Sequence, residues 1–211
     1  MSQQRNGAAS GHVRIIGGRW RGTRLPVADA AGLRPTSDRV RETLFNWLQP
    51  KLPGARVLDL FAGSGALGLE AVSRGAREAL LLERDPQLAE SLRATVERLH
   101  AGDQVQVLRA DALAWLRTPI QGRFDLVLLD PPFDAGAWQQ ALALLPPWLA
   151  DDAWLYLESP CAQSPMAVPA PGPDWLPHRR GSTRQVHFAL YRRAPAATVT
   201  LAADSTGAAI E

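Results

Sequence analysis

Short apolar runs alternate along this chain with stretches whose apolar positions return every three or four residues. From residue 56 to residue 158 the two periods follow each other repeatedly. Residues 56–62, 78–83, 104–109, 124–130 and 153–158 read as strands, buried on both faces because they hold few polar positions. Three of the segments between them read as helices. One follows Gly65 and stops at Gly75, and another opens at Asp85-Pro86, an acid at the cap and a proline in the first turn. Leu88, Leu92, Val96 and Leu99 carry the apolar stripe of that second helix. A third helix near 135–145 is stopped by Pro146-Pro147. Strands that alternate with helices predict a mostly parallel sheet with helices on both faces. Residues 174–180 and 184–192 then read as two β segments around Gly181-Ser182, a hairpin that adds an antiparallel edge strand.

The pattern before residue 56 is different. Residues 13–25 read as two short strands around Gly17-Gly18, and a helix begins after Pro35 with Thr36 or Ser37 as its cap. Val40, Leu44, Trp47 and Leu48 form one stripe of this helix, and Arg39, Glu42, Thr43 and Asn46 share the opposite face. The expected organisation is a disordered start (1–11), a basic hairpin and helix (12–50), one α/β domain (51–193) and a disordered Ala/Thr/Ser-rich tail (194–211). Residues 160–177 are proline-rich and irregular.

Charge sharpens this division. Residues 1–55 hold eight Arg and Lys51 against Asp29, Asp38 and Glu42, a balance of 9 − 3 = +6. The remainder holds 14 basic and 18 acidic residues, a balance of −4. A basic arm beside a less basic body suits a polyanionic partner, with a solvated surface as the plain alternative. Arg14, Arg19, Arg21 and Arg24 with Trp20 combine backbone-neutralising charge with an aromatic that can stack on a base. An edge hairpin whose charges discourage aggregation would read the same way. The single cysteine, Cys161, excludes an internal disulfide, and the four histidines have no metal spacing. No apolar run approaches a membrane span, and the first residues lack the apolar segment of a signal peptide, so a cytoplasmic location is expected.

The chemistry concentrates where strands end. At Asp59-Leu60-Phe61-Ala62-Gly63-Ser64-Gly65-Ala66-Leu67-Gly68 a strand turns through glycines into a helix, which brings backbone N–H groups close to a ligand. The spacing Gly63-x-Gly65-x-x-Gly68, with Glu83 twenty residues after Gly63, fits a dinucleotide site. It equally fits S-adenosylmethionine, and there Asp59 has a purpose. A carboxylate before the glycines suits a cationic amino group and a sulfonium, and it repels a pyrophosphate. Glu83 can accept both hydroxyls of a ribose, and Asp111 can accept from an adenine amino group. Each acid could instead be a helix cap. Asp130-Pro131-Pro132-Phe133 discriminates best. Two prolines remove two N–H donors and leave acceptors, so Asp130 and a proline carbonyl can hold an exocyclic amine while Phe133 stacks on its base. Fixed acceptors aim the nitrogen lone pair at a methyl donor, a catalysis of positioning and electrostatics.

Four stretches together resemble the RsmD family: 59–70, 130–133, Arg14-Ile-Ile-Gly-Gly-Arg-Trp-Arg-Gly22 and Leu33-Arg-Pro-Thr-Ser-Asp-Arg-Val-Arg-Glu-Thr-Leu-Phe-Asn-Trp-Leu48. The resemblance runs from about residue 13 to residue 193. It implies a Rossmann-like class I methyltransferase fold, a mostly parallel seven-stranded sheet with an antiparallel terminal strand and a small basic N-terminal extension. It also implies S-adenosylmethionine as donor and the N2 of one guanine, guanine 966 of 16S rRNA, as acceptor in an assembled or nearly assembled small subunit. The cofactor site it implies comprises Asp59, Phe61, Ala62, Gly63, Gly65, Leu67, Glu83, Arg84, Asp111, Ala112 and Asp130. The target amine would meet Asp130, Pro131, Pro132 and Phe133. Arg14, Arg19, Trp20, Arg21, Arg34 and Arg39 would contact RNA and help close the site. No metal is implied, and a monomer is expected. Three rivals remain at this point: an adenine-N6 methyltransferase, a nicotinamide oxidoreductase, and an RNA-binding assembly factor without turnover.

Overall fold

The computed structural model describes residues 11–27, 36–131, 135–161 and 171–195. Residues 1–10 of the start expected to be disordered (1–11), residues 196–211 of the tail expected to be disordered (194–211), most of the proline-rich segment, Arg34, Pro132 and Phe133 lie outside the described residues. Nine strands run in chain order: β1 (His12–Arg14), β2 (Arg24–Pro26), β3 (Arg56–Asp59), β4 (Glu78–Glu83), β5 (Val105–Arg109), β6 (Phe124–Leu129), β7 (Leu149–Pro160), β8 (Trp175–Ser182) and β9 (Val186–Arg193). The helices are α1 (Asp38–Leu48), α2 (Ala66–Ser73), α3 (Pro86–Arg98), α4 (Ala112–Leu116) and α5 (Ala135–Leu144). Ser37 caps α1, its side chain accepting from the Val40 N–H. Asp85 caps α3 and Asp111 caps α4 in the same way.

β3 to β9 form one seven-stranded sheet in the order β5-β4-β3-β6-β7-β9-β8. β3 to β7 are parallel neighbours, and β9 runs antiparallel to both β7 and β8. The last strand is therefore antiparallel, as expected, but it is not the edge. It inserts between β7 and β8, and the edge falls to β8. The burial pattern explains the order: β9 buries Phe188, Ala189, Leu190 and Tyr191 in succession, whereas β8 is exposed along most of its length. Phe188 and Leu190 of β9 enter the core on one face of the sheet and Ala189 and Tyr191 the core on the other, so β9 lies where both layers cover it.

Helices cover both faces. α1, α2 and the β1–β2 pair pack on one, over Val57, Leu81, Leu128, Tyr156 and Leu190. Trp115, Trp148, Leu145 and their neighbours pack on the other, over Leu58, Val127, Leu155 and Tyr191. The N-terminal pair is shorter than the sequence suggests. Only three residues of each strand pair, Val13 opposite Leu25, and residues 15–23 between them are turns rather than strand. Gly18 explains why. With φ +77 it presses against the Ser73 carbonyl, a Cβ there would meet that oxygen at 1.9 Å, and the loop is held by Arg19 N–H to Ser73 O (2.9 Å) and Trp20 N–H to Ser73 Oγ (2.9 Å).

The extension is joined to the sheet domain through two fully buried charges. Glu70 of α2 receives Arg41 of α1 at 2.8 Å, and both side chains are excluded from solvent. Glu70 also accepts from Gly17 N–H (3.1 Å), Ile16 N–H (3.3 Å) and Arg74 (2.8 Å). The other end of the Arg41 guanidinium donates to the Arg14 carbonyl (2.6 Å) and to Asp38 (2.7 Å). Removing one member of a buried pair strands the other, so Arg41→Met should lower unfolding stability by about 3–5 kcal/mol. Chemical denaturation would check this. A loss below 1 kcal/mol would show that water or a neighbour replaces the lost partner.

Candidate functional site

The carboxyl ends of β5, β4, β3 and β6 lie side by side, with the switch point between β3 and β6. Sequence position alone does not order these strands; the sheet does. Residues following them therefore share one edge, where ligands bind in open α/β sheets. At the centre, β3 ends in Asp59 and turns through Gly63 (φ +52) and Gly65 (φ +75) into α2. Asp59 is buried, and its Oδ2 accepts from the Gly68 N–H at 3.0 Å. This bond ties the first turn of α2 to the strand. Burial pushes the Asp59 carboxyl up to about 7, opposed by the Gly68 and Phe61 N–H groups and assisted by the charge of Glu83.

Glu83, at the end of β4, accepts from Gly63 N–H (2.9 Å) with one oxygen and from Asp85 N–H (2.8 Å) with the other. Each oxygen keeps a further lone pair, so the glycine turn and a ribose can be held by one carboxylate. Asp111 is exposed and accepts from Ala114 N–H at 2.9 Å; it is a helix cap with one oxygen left over. Arg84 is exposed, and Phe61 is half-buried. Ala62, Leu67 and Ala112 are packed in the core, so only their backbone can face a ligand. Gly65 belongs in part to the core as well. A Cβ there would meet Leu92 Cδ2 at 2.4 Å, so its lack of a side chain serves helix packing besides the turn.

At the end of β6, Asp130 stands in a cluster that the sequence did not reveal. Thr36 Oγ1 donates to Asp130 Oδ2 at 3.2 Å, and Tyr156 OH donates to Glu158 Oε2 at 2.6 Å. Asp130 keeps a partial opening to solvent, but the surrounding protein and the Glu158 charge hold its carboxyl well above the usual carboxylate range, against the Thr36 hydrogen bond. Burial raises Glu158 too, against hydrogen bonds from Tyr156 and Thr36. Among the described residues no Lys or Arg forms an ion pair with either acid. Pro131 is buried beside Asp130.

The basic candidates divide. Arg14 and Arg39 are exposed near the start of α1, where Arg14 reaches Asp38 at 3.7 Å and Thr36 touches Asp130. Arg19 and Trp20 dock instead at Ser73, the far end of α2, about 10 Å from its first residue, and Arg21 follows in the same turn through its N–H to the Gly18 carbonyl. The Arg19 guanidinium lies over the Trp20 ring at 4.1 Å and reaches Gln104, and Trp20 packs on the core. These three do not close over the strand ends. Thr36 does, and it comes from the same extension.

Comparison with known proteins shows the family. The family model described as conserved hypothetical protein 95 matches residues 13–192. Ribosomal RNA small subunit methyltransferase D of Escherichia coli (strain K12) is 46% identical over 193 residues, 89% of this chain and 93% of the relative. The protein of the same name in Haemophilus influenzae is 42% identical over 87% of this chain and 95% of its own length. The chain belongs to the RsmD family. A solved structure of yhhF from Escherichia coli superposes with a TM-score of 0.78 at 43% identity, covering 87% of this chain and 99% of that one. For this RsmD family member the expected class I methyltransferase architecture holds, and the structure adds Thr36, Arg41, Glu70, Tyr156 and Glu158 to the residues that shape the site. A signal for two of them was present in the sequence. Glu70 is the only charge in α2, and Arg41 stands in line with Phe45 and Leu48 on a buried stripe.

Asp59 makes stability depend on pH. Its folded pKa of about 7 lies above the ordinary 3.8, so the folded chain holds this proton more tightly than the unfolded chain. The contribution is complete below about pH 4 and is lost as pH rises through 7. The melting temperature of the ligand-free protein should fall between pH 5 and pH 8, and Asp59→Asn should flatten part of that fall. Identical slopes for the two proteins would mean that Asp59 is not the titrating group.

Proposed function

We propose that this protein transfers a methyl group from S-adenosylmethionine to the exocyclic N2 of a guanine in 16S rRNA, acting as a monomer in the cytoplasm on the assembled or nearly assembled small subunit. The observation that carries the reading is the adjacency of β3 and β6. Their hydrogen-bonded pairing sets the glycine turn with Asp59 directly beside Asp130-Pro131. A donor site and an amine-holding site then share one edge of the sheet. The names of the relatives support the reaction class and the RNA.

The residues present fit this donor. Asp59 is a buried acid whose nearest described neighbours include a second acid, Glu83, so a cationic ligand relieves charge where a pyrophosphate would add to it. Glu83 has lone pairs left for a ribose, and Asp111 has an oxygen left for an adenine amine. When bound, S-adenosylmethionine supplies an electrophilic methyl group on its sulfonium. Everything else falls to the chain. Asp130 accepts one N2–H of the guanine, and the Pro131 carbonyl can accept the other. Both hold the amine so that its nitrogen can pyramidalise, which withdraws the lone pair from conjugation with the ring and aims it at the methyl group. Asp130 is then placed to take the proton that the nitrogen releases. Thr36, hydrogen-bonded to Asp130, keeps the carboxylate in position.

Transfer of labelled methyl to small subunits that lack the modification tests the reading, with naked 16S rRNA and duplex DNA alongside. N2-methylguanosine should appear on the subunits, and Asp130→Ala should lower kcat/KM about 10²–10³-fold. N6-methyladenine as product would overturn the acceptor, and no transfer would overturn the activity. Binding of S-adenosylmethionine should strengthen as pH rises through about 7, because only ionised Asp59 attracts the ammonium group. Calorimetry showing a flat pH profile would remove Asp59 from the binding site.

A further inference from the structure

Asp130 and Glu158 stand side by side. β6 and β7 pair Leu128 with Tyr156 and Leu129 with Leu157, so the next two residues adjoin where the strands end, about 4.8 Å apart. Leu128 and Tyr156 both pack toward α1, and side chains return to the same face two residues on. Thr36 reaches Asp130 from the start of α1, and Tyr156 OH occupies one lone pair of Glu158. Asp59, ending the neighbouring strand β3, is the next acid, with Glu83 beyond it. No cation among the described residues pairs with Asp130 or Glu158. This corner of the site therefore offers hydrogen-bond acceptors and needs donors.

The two purines that carry an amine differ here. Guanine presents N1–H and the N2 amine next to each other, a row of donors. Adenine presents its N6 amine next to an N1 that carries a lone pair. An acceptor set matches the first, whereas the second would put a lone pair against a carboxylate. Base recognition at a flipped nucleotide is read along this edge.

We propose that Glu158 is the specificity-determining residue for the target base: its carboxylate accepts the N1–H of guanine while Asp130 accepts an N2–H. This rests on the reading of the protein as a guanine-N2 methyltransferase. It assigns a purpose to a buried acid that the transfer step does not use. It also separates guanine from adenine, which Asp130-Pro131 alone does not. Both acids are held above their ordinary pKa by burial and crowding, and the donors of a guanine edge compensate that crowding.

2-Aminopurine tests the idea, because it keeps the amine at C2 but has a bare N1. It is placed at the target position of a 16S rRNA segment assembled into small subunits. The wild-type protein should prefer guanine by about 100-fold in kcat/KM, the range expected when a buried polar group loses its partner. Glu158→Gln can turn its amide to donate to N1, so the preference should fall below about 10-fold with binding of S-adenosylmethionine unchanged. Tyr156→Phe, which frees Glu158 without removing it, should lower the preference by a smaller factor and guards against misfolding of the first variant. A preference unchanged in both variants would overturn the proposal, as would a wild-type protein indifferent to the two bases. Failure to methylate guanine at all would instead remove the reading on which it rests.

Discussion

The pair of Glu70 and Arg41 is the constraint on which the rest depends. An isolated charge in a protein interior is prohibitively costly, so neither side chain can be buried without the other. Glu70 lies in the middle of α2, the helix that leaves the glycine turn, and Arg41 in the first part of α1. Their ion pair, with the Ile16 and Gly17 N–H groups and the Arg14 carbonyl, holds three segments at one point. With α1 held there, its leading residue Thr36 arrives at Asp130. The N-terminal extension is in this sense part of the catalytic body and not a separate arm.

The strand ends form an acidic edge. Asp59 and Glu83 close their strands, Asp111 and Asp130 follow theirs, and Glu158 stands near the end of β7, all on adjacent strands. Three of them accept from backbone N–H groups: Glu83 from the glycine turn, Asp59 from the start of α2 and Asp111 from the start of α4. What remains is negative and rich in acceptors. Such an edge suits a cationic donor and an amine that gives hydrogen bonds, and it opposes a dinucleotide pyrophosphate even though the glycine spacing fits one.

The basic charge of the extension serves two places. Arg14 and Arg39 stand beside the start of α1, close to the strand ends. Arg19, Trp20 and Arg21 are carried by a loop that Gly18 allows to press on the C-terminal end of α2. The hairpin and the helix are adjacent in sequence, yet they reach different ends of α2 and of the sheet beneath it. Val13, Ile15 and Leu25 are buried in the same core as α2 and α3, and the hydrogen bonds of Arg19 and Trp20 to Ser73 hold the loop at the end of α2 away from the glycine turn.

The alternation of the sheet domain and the acids near its strand ends were legible from the chain because they rest on local pattern, whereas the five-residue helix α4 was too short to show a period and the strands of the N-terminal hairpin were read too long. Apolar period separates strand from helix, Asp85-Pro86 and Ser37 announce helix starts, and glycines mark the turn. The tertiary structure decided what depends on residues far apart. That β9 rather than β8 lies inside the sheet goes with its alternate side chains entering the two cores on opposite faces, which only the packed layers supply. That Leu67, Ala62 and Ala112 belong to the core follows from how α2 and α4 sit on the sheet. Glu158 and Tyr156 read in sequence as part of an ordinary buried strand, and Thr36 as a possible cap. They become part of a site only because β7 pairs beside β6 in one register and because a buried Arg41 fixes where α1 begins.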